Sequence, residues 1–119
     1  MKVYLYSKCS TCKNALRFLE KNQLKVEIVE ITQTPPTVEE LTQMLALQNG
    51  QLRKLFNTSG QLYRELQLSE KLEGMPIDQA LKLLSQNGML VKRPFLLGKG
   101  IGLLGFNEKE WEQSVPLIH

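Results

Sequence analysis

The chain has 119 residues, of which 42% are apolar and 23% charged, and its formal net charge at pH 7 is +3. These values are typical of a soluble globular chain and predict one domain, residues 1–119. No apolar run approaches the ~20 residues needed to span a membrane, and the polar N-terminus excludes a signal peptide, so we expect a cytoplasmic protein.

The first part of the chain predicts a strand, a helix and a second strand. Residues 2–6 are rich in Val, Leu and Tyr, which is typical of a strand. From about residue 10 to about residue 21, apolar side chains recur at helical spacing. KVEIVEI at residues 25–31 alternates apolar and polar positions and predicts a second strand. Together they predict a βαβ unit with two parallel strands.

The middle of the chain, residues 32–88, predicts a helical insert. Thr37 and Glu40 have the spacing of a capping box, which predicts a helix that ends near residue 48. Two shorter helical pieces follow, and Pro76 begins another helix that Gly88 ends. The core would then consist of residues 1–31 and 89–119.

The C-terminal part returns to strands, which we predict at residues 89–91, 94–97 and 101–104. Gly98, Lys99 and Gly100 predict a tight turn between the last two. Asn107 and Glu110 have capping-box spacing and predict a final helix through Trp111. The element order predicts an α/β fold, a three-layer sandwich with a small mixed sheet.

The two cysteines of the chain, Cys9 and Cys12, form a C-x-x-C motif where the first helix begins. An anion is favoured at a helix N-terminus, and Lys8 and Lys13 add positive charge, so we expect Cys9 to ionise readily. Ser10 is the predicted N-cap. Cys12 lies on the apolar helix face, close enough to form a disulfide with Cys9. We therefore predict that Cys9 is a nucleophile and that Cys12 is the resolving thiol.

Other interpretations of these residues have less support. A zinc site needs four ligands, whereas the chain offers the two cysteines and His119. The cysteines could also be inert core residues. Residues 100–105 fit G-x-G-x-x-G, but no βαβ unit can follow them, so a turn explains these glycines better than a dinucleotide site. We therefore expect neither a metal nor a cofactor.

A second motif, Lys92-Arg93-Pro94, precedes the strand predicted at residues 94–97. Thioredoxin-like folds place a cis-proline at this point, facing the active cysteine, and a βαβ unit with C-x-x-C is typical of such folds. Arg93 would then be directed towards the thiols as a partner for a thiolate or an anion. The alternative is an ordinary edge-strand proline beside an exposed arginine.

Three segments together resemble the ArsC/Spx family: CSTCK at 9–13, GMLVKRP at 88–94 and LLGFNEKEWE at 103–112. The resemblance covers nearly the whole chain and is strongest to the small arsenate-reductase-like C-x-x-C proteins of Gram-positive bacteria. It implies a thioredoxin-like fold with a helical insert between the second and third core strands. For the arsenate reductases it implies that Cys9 attacks arsenate and that Arg93 holds the oxyanion.

The chain also departs from the glutaredoxin-linked reductases. They have a histidine four residues before the cysteine, where Leu5 stands here, and an arginine in the insert, where Asn57 stands here. We therefore expect arsenate reduction to be feeble or absent. Cys12 instead matches the second cysteine of the Spx branch, which are transcriptional regulators that bind RNA polymerase and sense oxidation through a C-x-x-C disulfide.

Two functions remain open from the sequence. The first is a thiol-disulfide oxidoreductase whose redox partner is thioredoxin, glutaredoxin or glutathione. The second is an Spx-like redox-sensing regulator that binds RNA polymerase. For either function we expect a monomer, and the mild charge without interleaved aromatic residues predicts no direct binding of nucleic acid.

Overall fold

The computed structural model describes residues 1–118. Its N-terminal part is the predicted βαβ unit, made of β1 (Lys2–Leu5), α1 (Ser10–Lys21) and β2 (Glu27–Glu30). Strands β1 and β2 are parallel, as predicted, with Val3 opposite Ile28. Strand β1 ends one residue earlier than predicted because the carbonyl of Tyr6 turns to accept a hydrogen bond from the Cys9 amide, at 3.0 Å.

The insert between β2 and β3 is helical, as predicted. Helix α2 (Val38–Leu47) begins at a complete capping box: the Glu40 amide donates to Thr37 Oγ1 at 3.1 Å, and the Thr37 amide donates to Glu40 Oε1 at 3.0 Å. The remaining elements of the insert are short apart from the last one: a 3₁₀ turn (Leu52–Leu55), α3 (Gln61–Glu65), α4 (Leu68–Lys71), a second 3₁₀ turn (Leu72–Gly74) and α5 (Ile77–Gln86).

The prediction of a strand at residues 89–91 was wrong. A 3₁₀ turn occupies Gly88–Leu90, and Val91 forms an isolated bridge with Phe56. The hydrogen bonds of this segment go to the insert rather than to the sheet, since the Lys92 amide donates to the carbonyl of Leu55 at 2.9 Å. At the start of the turn Gly88 lies against the carbonyl of Ile31, where a Cβ atom would overlap the oxygen.

The C-terminal part contains β3 (Phe95–Gly98), β4 (Ile101–Leu104) and α6 (Glu108–Ser114). Gly98 was predicted in the turn but pairs with Ile101, so the hairpin loop is shorter than expected. Gly100 has φ +77°, a left-handed conformation that glycine adopts without a steric penalty. Asn107 caps α6 by accepting a hydrogen bond from the Glu110 amide at 3.1 Å, which is one half of the predicted capping box.

The sheet has the order β2-β1-β3-β4, and β3 is antiparallel to both of its neighbours. Because side chains alternate along a strand, each face of the sheet has its own apolar cluster. Val3 and Leu96 lie on one face with α1 and α6, around the buried Trp111; Tyr4 and Phe95 lie on the other with the insert. This mixed sheet between two helical layers is the predicted three-layer α/β sandwich. Within residues 1–118, none of the helices has the length and apolar character of a membrane span.

Candidate active site

Cys9 lies directly before α1, at the end of the turn that follows β1. Its backbone is extended, with φ −95° and ψ 123°, so Cys9 itself is the N-cap residue of α1. The predicted N-cap, Ser10, is instead the first helical residue and is exposed. The difference arises because the bond from the Cys9 amide to the Tyr6 carbonyl continues the turn as far as Cys9.

The surroundings of the half-buried Cys9 thiol favour its ionised form. Partial burial acts to raise the pKa, but the Cys12 amide, the Cys12 thiol, the Thr11 amide and the Arg93 guanidinium outweigh it, so the pKa of Cys9 is lowered. Among the groups that lower this pKa, Arg93 is the one that carries a charge. Lys8 and Lys13, which the sequence placed beside the thiol, are both exposed.

Cys12 lies one helical turn further along, on the inner face of α1, and only 1% of it is exposed. Burial is the main cause that raises its pKa, to about 12, and the neighbouring Cys9 thiol acts in the same direction. The amide of Tyr6 donates to Cys12 Sγ at 3.4 Å, which opposes the shift without reversing it. Both cysteines are free thiols.

Arg93 and Pro94 directly precede β3, the strand that pairs with β1. The Arg93–Pro94 peptide bond is cis, as predicted. The guanidinium carbon of Arg93 stands 5.2 Å from the ring centre of Tyr6, and Nη1 donates to the carbonyl of Met89 at 3.3 Å. Within residues 1–118, the buried Nε of Arg93 has no hydrogen-bond partner.

Tyr6 is the residue of this site that the sequence analysis missed. Its amide contacts Cys12, its carbonyl accepts from Cys9, and its ring supports Arg93. The available signal was its position: a residue directly after a strand that leads into the C-x-x-C helix must lie beside the thiols.

Arg93 also borders a cavity of about 330 Å³ between the core and the insert. Asn57, Leu62 and Glu65 line its insert side, and Met89 lies next to Arg93. Asn57 therefore lies near Arg93 in space. It stands at the position where the glutaredoxin-linked reductases have the arginine of their insert. The cavity offers amide, apolar and acidic groups but only one cation to an incoming oxyanion.

The arrangement is suited to thiol chemistry. One thiol that ionises readily lies beside a second that stays protonated, which is the asymmetry that stepwise thiol–disulfide exchange uses. Within the part of the chain that the structure describes, no three His, Cys, Asp or Glu side chains converge on a metal position. His119, the third ligand considered above, lies outside the described residues.

The glycines of residues 100–105 have structural explanations. Gly100 forms the hairpin turn, and Gly105 ends the strand with φ +73°. Gly102 lies within β4, where a Cβ atom would press on the side chains of Met44 and Leu47. Turn formation and close packing therefore account for this motif.

The chain is similar to several known proteins over nearly its whole length. The model of the ArsC family matches residues 4–114. The uncharacterized protein YusI of Bacillus subtilis is 40% identical over 93% of this chain and 94% of its own. A solved structure described as a possible arsenate reductase, from Streptococcus mutans, is 35% identical with a TM-score of 0.85, covering 93% of this chain and 96% of that one. The global transcriptional regulator Spx 2 of Bacillus anthracis is 25% identical over 96% of this chain and 86% of its own.

These matches agree with the three-layer fold. They confirm the resemblance that the C-x-x-C, the insert and the C-terminal motif indicated. The chain belongs to the ArsC family.

Proposed function

We propose that this protein is a thiol–disulfide oxidoreductase in which Cys9 is the nucleophile and Cys12 the resolving thiol. The Cys9 thiolate attacks one sulfur of a substrate disulfide, forms a mixed disulfide and releases the other sulfur as a thiolate. Cys12 then loses its proton to solvent or to the released thiolate and attacks Cys9 Sγ. This forms the Cys9–Cys12 disulfide and releases the second substrate thiolate, which takes up a proton. Two electrons have passed to the substrate; an external dithiol, or two molecules of glutathione, then reduces the Cys9–Cys12 disulfide and is itself oxidised to a disulfide.

The observation that carries this proposal is the opposite shift of the two thiol pKa values. The Cys9 pKa is lowered and the Cys12 pKa is raised. Cys9 can therefore attack as a thiolate while Cys12 stays protonated. Once Cys9 is in a mixed disulfide it no longer carries a charge that opposes ionisation of Cys12. The first attack therefore removes one of the causes that raise the pKa of Cys12.

In this proposal Arg93 stabilises the Cys9 thiolate. Its guanidinium is held in place by the ring of Tyr6 and the carbonyl of Met89, and it lowers the pKa of Cys9. Arsenate would need several charged donors at once, and each missing one costs about 1.5–3 kcal/mol. With Asn57 and Leu5 in place of the arginine and histidine, we expect arsenate turnover to be feeble or absent and disulfide exchange to persist.

The test uses glutathione disulfide as the probe and a Cys12→Ser variant as the trap. We expect the variant to stop as a mixed disulfide carrying one glutathionyl group on Cys9, whereas the wild-type chain proceeds to the internal disulfide. Mass spectrometry under non-reducing conditions distinguishes the two products. Cys9→Ser is the matched control and should acquire neither modification. An adduct on Cys12 in the Cys9→Ser control, formed as fast as that on Cys9, would overturn the assignment.

The similarity to Spx 2 favours a second candidate function, a redox-sensing regulator that binds RNA polymerase. The same disulfide would then change a partner surface and not serve turnover. A pull-down with purified RNA polymerase, using the oxidised and the reduced chain, tests it. Capture of polymerase by one redox form, with no turnover of glutathione disulfide, would favour the regulator. Turnover without capture would favour the enzyme.

A further inference from the structure

A second cleft, of about 700 Å³, lies between the insert and the C-terminal part of the core. Its apolar floor is formed by Leu52, Phe56 and Leu104, of which Phe56 is buried and the other two are half-buried. The volume falls within the ~300–1,000 Å³ range of small-molecule sites. The proposed disulfide chemistry makes no use of this cleft.

The charged side chains that line this cleft are predominantly cationic. Arg53, Lys54 and Lys92 line it, against one acidic side chain, Glu110. Arg53 donates to two neutral oxygens, the Tyr63 hydroxyl at 2.7 Å and the Ser69 carbonyl at 3.4 Å. These bonds fix the guanidinium without neutralising its charge.

Within the described residues, neither lysine of the cleft forms an ion pair. Within residues 1–118 the structure has one ion pair, which joins Lys2 to Glu40 at 3.2 Å and lies elsewhere in the fold. The side chain of Lys92 packs close to Gly105: a Cβ atom added to this glycine would lie 3.1 Å from Lys92 Cε. The cleft therefore combines an apolar floor with three cations and a single anion.

The cleft and the cavity beside Arg93 lie on opposite sides of the same pair of backbone segments. The Asn57 amide donates to the Leu90 carbonyl at 2.7 Å, and Phe56 bridges to Val91. Neighbouring side chains on extended backbone point in opposite directions. Phe56 consequently lines the cleft while Asn57 lines the cavity beside Arg93.

Lys92 and Arg93 are divided in the same way. Lys92 lines the cleft, whereas Arg93, whose charge lowers the pKa of Cys9, lines the other cavity. A ligand in the cleft would therefore occupy a site separate from the one that we propose for disulfide exchange.

We propose that this cleft binds a small organic anion, with an apolar body on Leu52, Phe56 and Leu104 and an acidic group between Lys54 and Lys92. Carboxylate, sulfonate and phosphate groups share the required chemistry, because each accepts charge-assisted hydrogen bonds from ammonium groups. Arg53 contributes positive charge from a fixed position. Glu110 limits the excess positive charge and so favours a ligand with one or two negative charges over a polyanion.

The test uses 8-anilinonaphthalene-1-sulfonate, which has an apolar body and one sulfonate, and N-phenyl-1-naphthylamine, a similar apolar compound without the charge. Fluorescence titration should show saturable binding of the sulfonate and much weaker binding of the uncharged compound. Lys92→Glu and Lys54→Glu should each weaken sulfonate binding by at least about tenfold. Lys82→Glu, an exposed charge reversal on α5, is the matched control and should leave binding within about twofold of wild type.

Two further measurements separate this proposal from its alternatives. Amide chemical-shift changes in two-dimensional NMR should cluster around Leu52, Phe56 and Leu104. The Cys9→Ser variant should bind the sulfonate as wild type does, so failure of the thiol proposal would leave this one intact. Equal loss in Lys82→Glu, equal binding of the uncharged compound, or shift changes elsewhere would each overturn the assignment. Circular dichroism of Lys92→Glu checks its fold, and the exposed Lys54 provides an independent variant.

Discussion

The sharpest prediction concerns the relative reactivity of the two thiols, measured in single-cysteine variants. Cys12→Ser leaves only Cys9, and Cys9→Ser leaves only Cys12. Because the thiolate is the reacting species, the alkylation rate at a given pH follows the ionised fraction and the exposure of the sulfur. We expect Cys9 to be alkylated far faster than Cys12 at neutral pH.

The magnitude follows from the raised pKa of the buried thiol. At pH 7.5 a thiol with a pKa of about 12 is ionised in roughly one molecule in 30,000, whereas a free cysteine is ionised in about one in ten. Cys9, with its lowered pKa, is ionised at least as much as an ordinary thiol, so the populations differ by ~3,000-fold. Cys9 itself contributes to the raised pKa of Cys12, and the Cys9→Ser variant, in which Cys12 is measured, lacks this contribution. We therefore expect a rate ratio of at least about 100-fold, to which the 1% exposure of Cys12 adds.

The assay is alkylation with iodoacetamide from pH 5 to pH 10, followed by mass spectrometry of the intact chain. The Cys9 rate should rise with pH and reach its plateau below the pH at which free cysteine does. The Cys12 rate should still be rising at pH 10. Labelling of both variants at rates within about tenfold of each other, or faster labelling of Cys12, would refute the reasoning.

Three further predictions concern the charge beside Cys9, the buried thiol and the end of the insert. Arg93→Met should raise the pKa of Cys9 and slow its alkylation at neutral pH, while Arg93→Lys should retain part of the effect; an unchanged pH profile in both would contradict the role of the charge. The pKa of Cys12 is raised to about 12 in the folded chain. When the pH exceeds the pKa that this thiol has in the unfolded chain, the unfolded chain loses the proton first, so the free energy of unfolding falls as the pH rises. Between pH 9 and pH 10, urea denaturation should show that the free energy of unfolding falls by about 1 kcal/mol more in the wild-type chain than in a Cys12→Ala variant. Equal decreases in the two chains would rule this out. Gly88→Ala should destabilise the fold by about 2–3 kcal/mol because its Cβ atom would overlap a backbone carbonyl, whereas Gly74→Ala, with open space around it, should cost less than about 0.5 kcal/mol by thermal unfolding.

Local patterns predicted those elements that local hydrogen bonds or apolar periodicity determine. The capping box at Thr37 and Glu40 is complete in the structure because both of its bonds lie within four residues of chain. The parallel pairing of β1 and β2 follows from the short helical crossover between them. The cis peptide before Pro94 was predicted from its position in a thioredoxin-like fold.

The features that sequence patterns missed depend on contacts between distant segments. Residues 89–91 are apolar and look like a strand, but they form a turn because Gly88 lies against Ile31 and the backbone pairs with the insert. Lys8 and Lys13 are adjacent to the thiols in sequence yet exposed, whereas Arg93 acts on them from more than eighty positions away. Tyr6 meets Cys12 through the local turn before α1, but it contacts Arg93 only when β3 is placed beside β1.

The contact between Gly88 and Ile31 brings together the two ends of the insert. A segment that leaves and re-enters the core at a single point can change length or sequence without displacing the strands on either side, because lengthening a closed loop costs little free energy. The thiols lie in the part of the chain outside this closure, and Asn57 and Glu65 lie inside it. The residues that we propose for the chemistry and the insert residues that line the cavity beside Arg93 therefore belong to parts of the chain that can change independently of each other.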